Sequence, residues 1–86
     1  MNAKVYVYKE YSEEYPYGEE IVEVYFSKEK AEEKLKARVE TVFGCAWNDI
    51  PSHIDLQDDD TFERDYVSVR VRDYPMYFVV EEHEVQ

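Results

Sequence analysis

Nine tyrosines stand in this chain, and six of them (Tyr6, Tyr8, Tyr11, Tyr15, Tyr17 and Tyr25) are interleaved with Glu10, Glu13, Glu14, Glu19, Glu20 and Glu23. That pairing of residue types suits recognition of a cationic surface. Tyrosine gives a large contact area at low entropic cost, and for that reason it recurs at binding hot spots. Carboxylates beside it can pair with the arginines and lysines that otherwise hold phosphates. The residues best placed for this are Glu13, Glu14, Tyr15, Tyr17, Glu19 and Glu20, with Asp58, Asp59 and Asp60 as a second negative patch. The plainer account is that tyrosine is a good strand former and glutamate a solubilising residue.

Other chemistries find less support. Asp55, Asp58, Asp59 and Asp60, with His53 nearby, offer donors that divalent cations accept. A calcium loop, however, needs acids at alternate positions and a glycine at its sharp turn, and neither is present. No metal or other cofactor is expected, and the aspartates read as a solvated loop. Cys45 and His53 form the one pair that suggests a thiolate nucleophile. Cys45 follows the C-terminus of the predicted helix, whose partial negative charge opposes a thiolate. With glycine only at positions 18 and 44 there is no phosphate-cradling loop, and there is no Cys/His cluster for zinc. His83, among Glu81, Glu82 and Glu84, reads as an exposed histidine. No catalytic residue is assigned, and an enzyme is not expected.

The elements that carry these residues follow from hydrophobic period. Val5 and Val7 alternate with Tyr6 and Tyr8, and Val22, Val24 and Phe26 with Ile21, Glu23 and Tyr25, which predicts strands over 3–11 and 20–26. Pro16 and Gly18 mark the turn between them. Ser27 is a candidate N-cap, Ala31, Leu35, Val39 and Val42 recur at helical spacing, and Gly44 ends a helix over 28–43. Residues 45–64 show neither period and form a long connection, in which Asp60 or Thr61 is placed to cap a short helical turn. Val67, Val69 and Val71 alternate with Ser68, Arg70 and Arg72 as a third strand. Tyr77 to Val85 gives a fourth, whose Phe78-Val79-Val80 centre leaves its inward face unassigned.

The order β-β-α-β-β predicts a single α+β domain over residues 1–86, a four-stranded antiparallel sheet with one amphipathic helix on one face. If the valines face the helix, Tyr6, Tyr8, Ile21 and Tyr25 lie on the other face with Arg70 and Arg72. That face then needs cover, either from the long connection through Trp47 and Ile50 or from a second copy in a homodimer.

Charge sets the class of partner. The predicted helix carries five basic and four acidic side chains, so the rest of the chain carries seventeen acidic against five basic, and the whole has a net charge of -11. Such a surface repels nucleic acid and attracts basic proteins. A hydrophobic content of 44% argues for a folded domain. One cysteine allows no internal disulfide, which suits a reducing cytoplasm. No apolar run reaches the length of a membrane span, and the first strand pattern begins close to Met1, leaving no room for a signal peptide. A cytoplasmic protein with no membrane association is the expectation.

The segment Val24-Tyr25-Phe26-Ser27-Lys28-Glu29-Lys30-Ala31-Glu32-Glu33-Lys34-Leu35 and the closing Tyr77-Phe78-Val79-Val80-Glu81-Glu82-His83-Glu84-Val85 resemble small phage and bacterial proteins. In those, a hairpin leads through a short helix start to a terminal strand rich in valine and glutamate. The resemblance covers about half of the chain and brings no catalytic residues with it. In size and acidity the chain is also similar to anti-CRISPR proteins and other phage-encoded DNA mimics. That resemblance implies an inhibitor in a bacterial host cell that occupies the basic channel of a nucleic-acid-processing protein such as a defence nuclease. The alternative is a structural, homodimeric domain whose acidity serves only solubility.

Overall fold

The computed structural model describes residues 3–12, 20–54, 56, 59–71 and 74–85. Five strands form one antiparallel sheet: β1 (Ala3–Tyr11), β2 (Ile21–Tyr25), β3 (Thr61–Glu63), β4 (Tyr66–Val71) and β5 (Tyr74–Val85). Their spatial order is β2-β1-β5-β4-β3, so the two longest strands lie side by side at the centre. Helix α1 (Lys28–Phe43) crosses one face, followed by a 3-10 turn (Trp47–Asp49) and the single-turn helix α2 (Ile50–His53). The architecture is α+β, with one more strand and one more helix than the sequence pattern indicates.

Helix α1 forms where its signals place it. The Ser27 hydroxyl accepts from the Lys30 backbone N–H at 3.4 Å, and Gly44 ends the helix at φ 71°, donating its N–H to the Glu40 carbonyl at 2.8 Å. Ala31, Leu35 and Val39 are fully buried, one turn apart, as a helix packed on a sheet requires.

Register fixes the faces. One rung runs Ile21, Glu10, Phe78, Val67, Phe62 across all five strands. Side chains alternate along a strand. The helix side therefore carries Tyr6, Tyr8, Glu10, Ile21, Glu23, Tyr25, Met76, Phe78, Val80, Val67 and Val69. Tyr8, Phe78, Val67, Leu35, Val39 and Ile50 form the fully buried core. This reverses the expected faces of the first hairpin: Tyr6, Tyr8, Ile21 and Tyr25 lie on the covered side and are not the candidate dimer face. The reason lies in Tyr8, which is buried under the helix because a charged partner there satisfies its hydroxyl. Alternation alone cannot choose between a tyrosine face and a valine face. In the last strand, Phe78 and Val80 point inward.

The long connection also behaves differently from expectation. Thr61 begins strand β3, pairing with Ser68, and does not cap a helical turn. Ile50 enters the core beside α1, and Trp47 stacks on Phe62 with ring centroids 4.3 Å apart. Ile54 and Leu56 pack against the same core. A helix is about 10 Å across and the sheet spans about four spacings of 4.8 Å. One helix leaves the β4–β3 side bare, and Cys45, Trp47, Ile50, Ile54 and Leu56 cover it. Trp47 and Ile50 are a cover, as expected, but for the helix side of the sheet.

Candidate functional site: an acidic end of the sheet

The strand directions bring the described ends of the two acidic segments to one end of the sheet. Tyr11 pairs with Tyr77, which pairs with Ser68, which pairs with Thr61; this row is the last rung for β1 and the first for β3, while β4 and β5 run on three rungs further to Val71 and Tyr74. The β1–β2 connection leaves after Tyr11 and returns at Ile21; β3 is entered at Thr61; β4 and β5 are joined past Val71 and Tyr74. All three connections meet this end. Ser12 ties two of them together, its hydroxyl donating to the Pro75 carbonyl at 2.7 Å. Glu20 stands exposed at the β2 corner, and Asp59 (exposed) and Asp60 (half-buried) stand at the β3 corner. The corners are four strand spacings apart, roughly 19 Å. Of the expected binding residues, Glu13, Glu14, Tyr15, Tyr17, Glu19 and Asp58 lie outside the described residues.

Helix α1 adds to the same end. It starts after β2 and runs back toward the connections, where Phe43 packs on Phe78 with ring centroids 6.5 Å apart. Its last turn contains no basic residue. The partial negative charge of a helix C-terminus is therefore left uncompensated there.

Elsewhere, carboxylates and cations largely cancel. Arg38 Nε and a terminal nitrogen donate to the two oxygens of Glu10 at 2.8 and 3.0 Å, and the Tyr8 hydroxyl donates to Glu10 Oε1 at 2.8 Å. Tyr8 and Glu10 are buried and Arg38 is half-buried. Glu10 is 7% exposed, and no buried side-chain polar atom among the described residues lacks a partner. Burial, and then the hydrogen bond to Glu10, push the Tyr8 phenol far above its ordinary range. The hydrogen bond to Glu10 likewise raises the Arg38 guanidinium. Beside it, Lys34 meets Glu23 at 3.5 Å, and the Tyr25 hydroxyl donates a short hydrogen bond to the same carboxylate. That bond holds the Glu23 carboxyl below its usual range, with Lys34 acting in the same direction, and pushes Tyr25 up to about 12.

Further pairs join Lys4 to Glu82 (3.7 Å), Lys9 to Glu81 (3.3 Å), Lys28 to Glu32 (3.9 Å) and Arg64 to Glu32 (3.8 Å). His83 Nε2 lies 2.9 Å from Glu81 and, with Lys9, holds the Glu81 carboxyl low. Exposed pairs of this kind add little stability. Their effect on the surface field is larger, because among the described residues six cationic side chains each face a carboxylate.

Other chemistries remain unsupported by geometry. Among the described residues no group of three His, Cys, Asp or Glu side chains is placed to hold a metal ion, and no helix is long and apolar enough to cross a membrane. Cys45 is half-buried and His53 exposed. One depression is lined by Glu32, Lys36, Trp47, Asn48 and Arg64, and in it Arg64 faces Glu32 at 3.8 Å. Sequence reasoning missed Arg38 and Glu10 as a pair, since they lie 28 residues apart on different elements. No local signal was available, because Glu10 falls in step with Tyr6 and Tyr8, on the face that the valine pattern places outward.

Comparison of the chain with protein-family models, with curated proteins and with solved structures finds no match.

Proposed function

We propose that this chain is a non-enzymatic acidic binding protein that uses the connection end of its sheet to engage the basic surface of a nucleic-acid-processing protein. The kind of partner is a defence nuclease, met in the cytoplasm of a bacterial host by a protein of phage or mobile-element origin. The observation that carries the reading is the convergence of connections. Two acidic segments about forty residues apart in sequence leave the same end of one sheet, with Glu20 and Asp59 exposed at its corners. Such an end presents carboxylates over a width of roughly 19 Å, a scale on which several arginines and lysines of a phosphate-binding groove can be met together. The internal pairing of cations supports the same reading, because it removes most of the basic charge that would otherwise offset the field.

The test is capture from lysate of a defence-competent bacterium at low salt, followed by salt-step elution. Two reversals are compared: Glu19→Lys with Glu20→Lys at the acidic end, and Glu29→Lys with Glu33→Lys on the exposed side of α1. The reading expects a DNA-handling protein that elutes as salt rises, is lost with the first pair and is retained with the second. Equal capture by both variants refutes it.

A further inference from the structure

The sheet face away from the helix carries Val5, Val7, Lys9 and Tyr11 from β1, Val22 and Val24 from β2, Thr61 and Glu63 from β3, and Tyr66, Ser68 and Arg70 from β4. From β5 it carries Tyr77, Val79, Glu81, His83 and Val85. Nothing in the chain's described residues covers it. Among the described residues the large apolar side chains left exposed are Val22, Val24, Phe26, Tyr66 and Val85; four lie on this face and Phe26 directly follows β2. Tyr11 and Tyr77 stack there at 5.0 Å.

We infer that this face is the contact between two copies of the chain, stacked sheet on sheet. Charge identifies the occupant. In a chain of net charge -11, the described strands put two cations, Lys9 and Arg70, and two carboxylates, Glu63 and Glu81, on this face, with Glu20 at its rim beside Lys9 and Tyr11, so it is close to neutral. A basic partner is drawn to the acidic end and gains nothing here. A second acidic copy is repelled by the acidic end, and of the two near-neutral surfaces, this face and the outer side of α1, only this one exposes large apolar side chains among the described residues. Area agrees. The five strands contain 35 residues, and each occupies about 16 Å² of sheet, from a strand spacing of about 4.8 Å and a rise of about 3.3 Å. The face is therefore roughly 550 Å² per copy, or about 1,100 Å² in all, close to the lower end of specific interfaces. Stacked sheets lie about 10 Å apart, and that layer is filled by valine and tyrosine side chains of this length. The arrangement leaves both acidic ends free, so it stands independently of the proposed function.

Sedimentation equilibrium across micromolar to sub-millimolar concentrations tests the inference, at low and at molar salt. The expected result is a monomer–dimer equilibrium with a dissociation constant in the micromolar range that holds or tightens as salt rises, since an apolar contact is not screened. Two variants locate it. Val79→Glu places a carboxylate directly opposite Lys9, a favourable cross-strand pair in the monomer but a charge buried by the dimer. Val24→Glu does the same on the edge strand, at a residue already 60% exposed. Each is expected to keep the wild-type circular dichroism spectrum and weaken the dimer at least tenfold. A wild-type monomer throughout that range overturns the inference, as does a dimer that both folded variants leave intact.

Discussion

Replacing Arg38 by methionine removes the only cation that reaches Glu10 among the described residues while keeping most of the aliphatic stem. The carboxylate is then left almost enclosed, its side chain 9% exposed, with the Tyr8 hydroxyl as its remaining partner. Breaking a fully buried pair in this way costs about 3–5 kcal/mol. Here the Arg38 side chain keeps 30% of its exposure, so water screens part of the interaction and reaches part of the vacated site. An expected loss of about 2 kcal/mol follows. For a domain of 86 residues total stability is on the order of 4–13 kcal/mol, so the loss is a sizeable share of the whole. Urea unfolding is the assay. With a slope of about 1–2 kcal/mol per molar, the midpoint falls by roughly 1–2 M at unchanged slope. The companion variant Arg38→Met with Glu10→Gln should recover part of the loss, because a neutral amide can still accept from Tyr8 and no charge is buried alone. If Arg38→Met costs less than about 0.5 kcal/mol, or the double variant is no better than the single, Glu10 is not held as a buried ion and the account of the core is wrong.

Three further outcomes follow from the same contacts. In a spectrophotometric alkaline titration of the nine tyrosines, Tyr25 should ionise near pH 12 and Tyr8 only on unfolding; Tyr8→Phe should remove the component that coincides with unfolding. Because the folded value of Tyr25 lies above its ordinary value near 10, its contribution to stability is complete below pH 10 and is lost as pH rises through about 12. Glu23 and Glu81 behave in the opposite sense: with folded values depressed, their contribution is present above the ordinary carboxylate range and is lost as pH falls through the lower folded values. Thermal unfolding of Glu23→Gln and Glu81→Gln in acid should therefore show a shallower loss than wild type. Gly44→Ala should cost about 1 kcal/mol in thermal or urea unfolding. An added Cβ meets nothing within 4 Å, so the whole cost is the left-handed backbone at φ 71°.

The sequence made helix α1 readable to the residue because its signals are local: a serine before the first turn, a four-residue apolar recurrence and a glycine after the last. Four strands were readable for the same reason, since period-two alternation is written within each segment. Strand β3 was not. Thr61–Glu63 is three residues long and exists through its pairing with β4, which no local pattern announces. Nor was the choice of face, because Tyr6 and Tyr8 alternate with Val5 and Val7 equally well in either sense. What decides it is the Arg38–Glu10–Tyr8 cluster, a contact between elements far apart in sequence. The acidic segments were plain in the composition. Their convergence on one end required the strand order β2-β1-β5-β4-β3, in which the entrances to β2 and β3 fall at opposite corners of the same edge. The pairing of most cations with carboxylates was equally a product of the assembled sheet and helix.

The most direct test of the central claim is competition at the partner. A DNA-handling protein captured by the chain is loaded with labelled duplex DNA, and the chain is titrated in at fixed salt. The account predicts mutual exclusion: DNA is displaced as the chain binds, displacement weakens as salt rises, and the Glu19→Lys, Glu20→Lys variant displaces none. A ternary complex, with DNA and chain bound together at saturating concentrations of both, contradicts it.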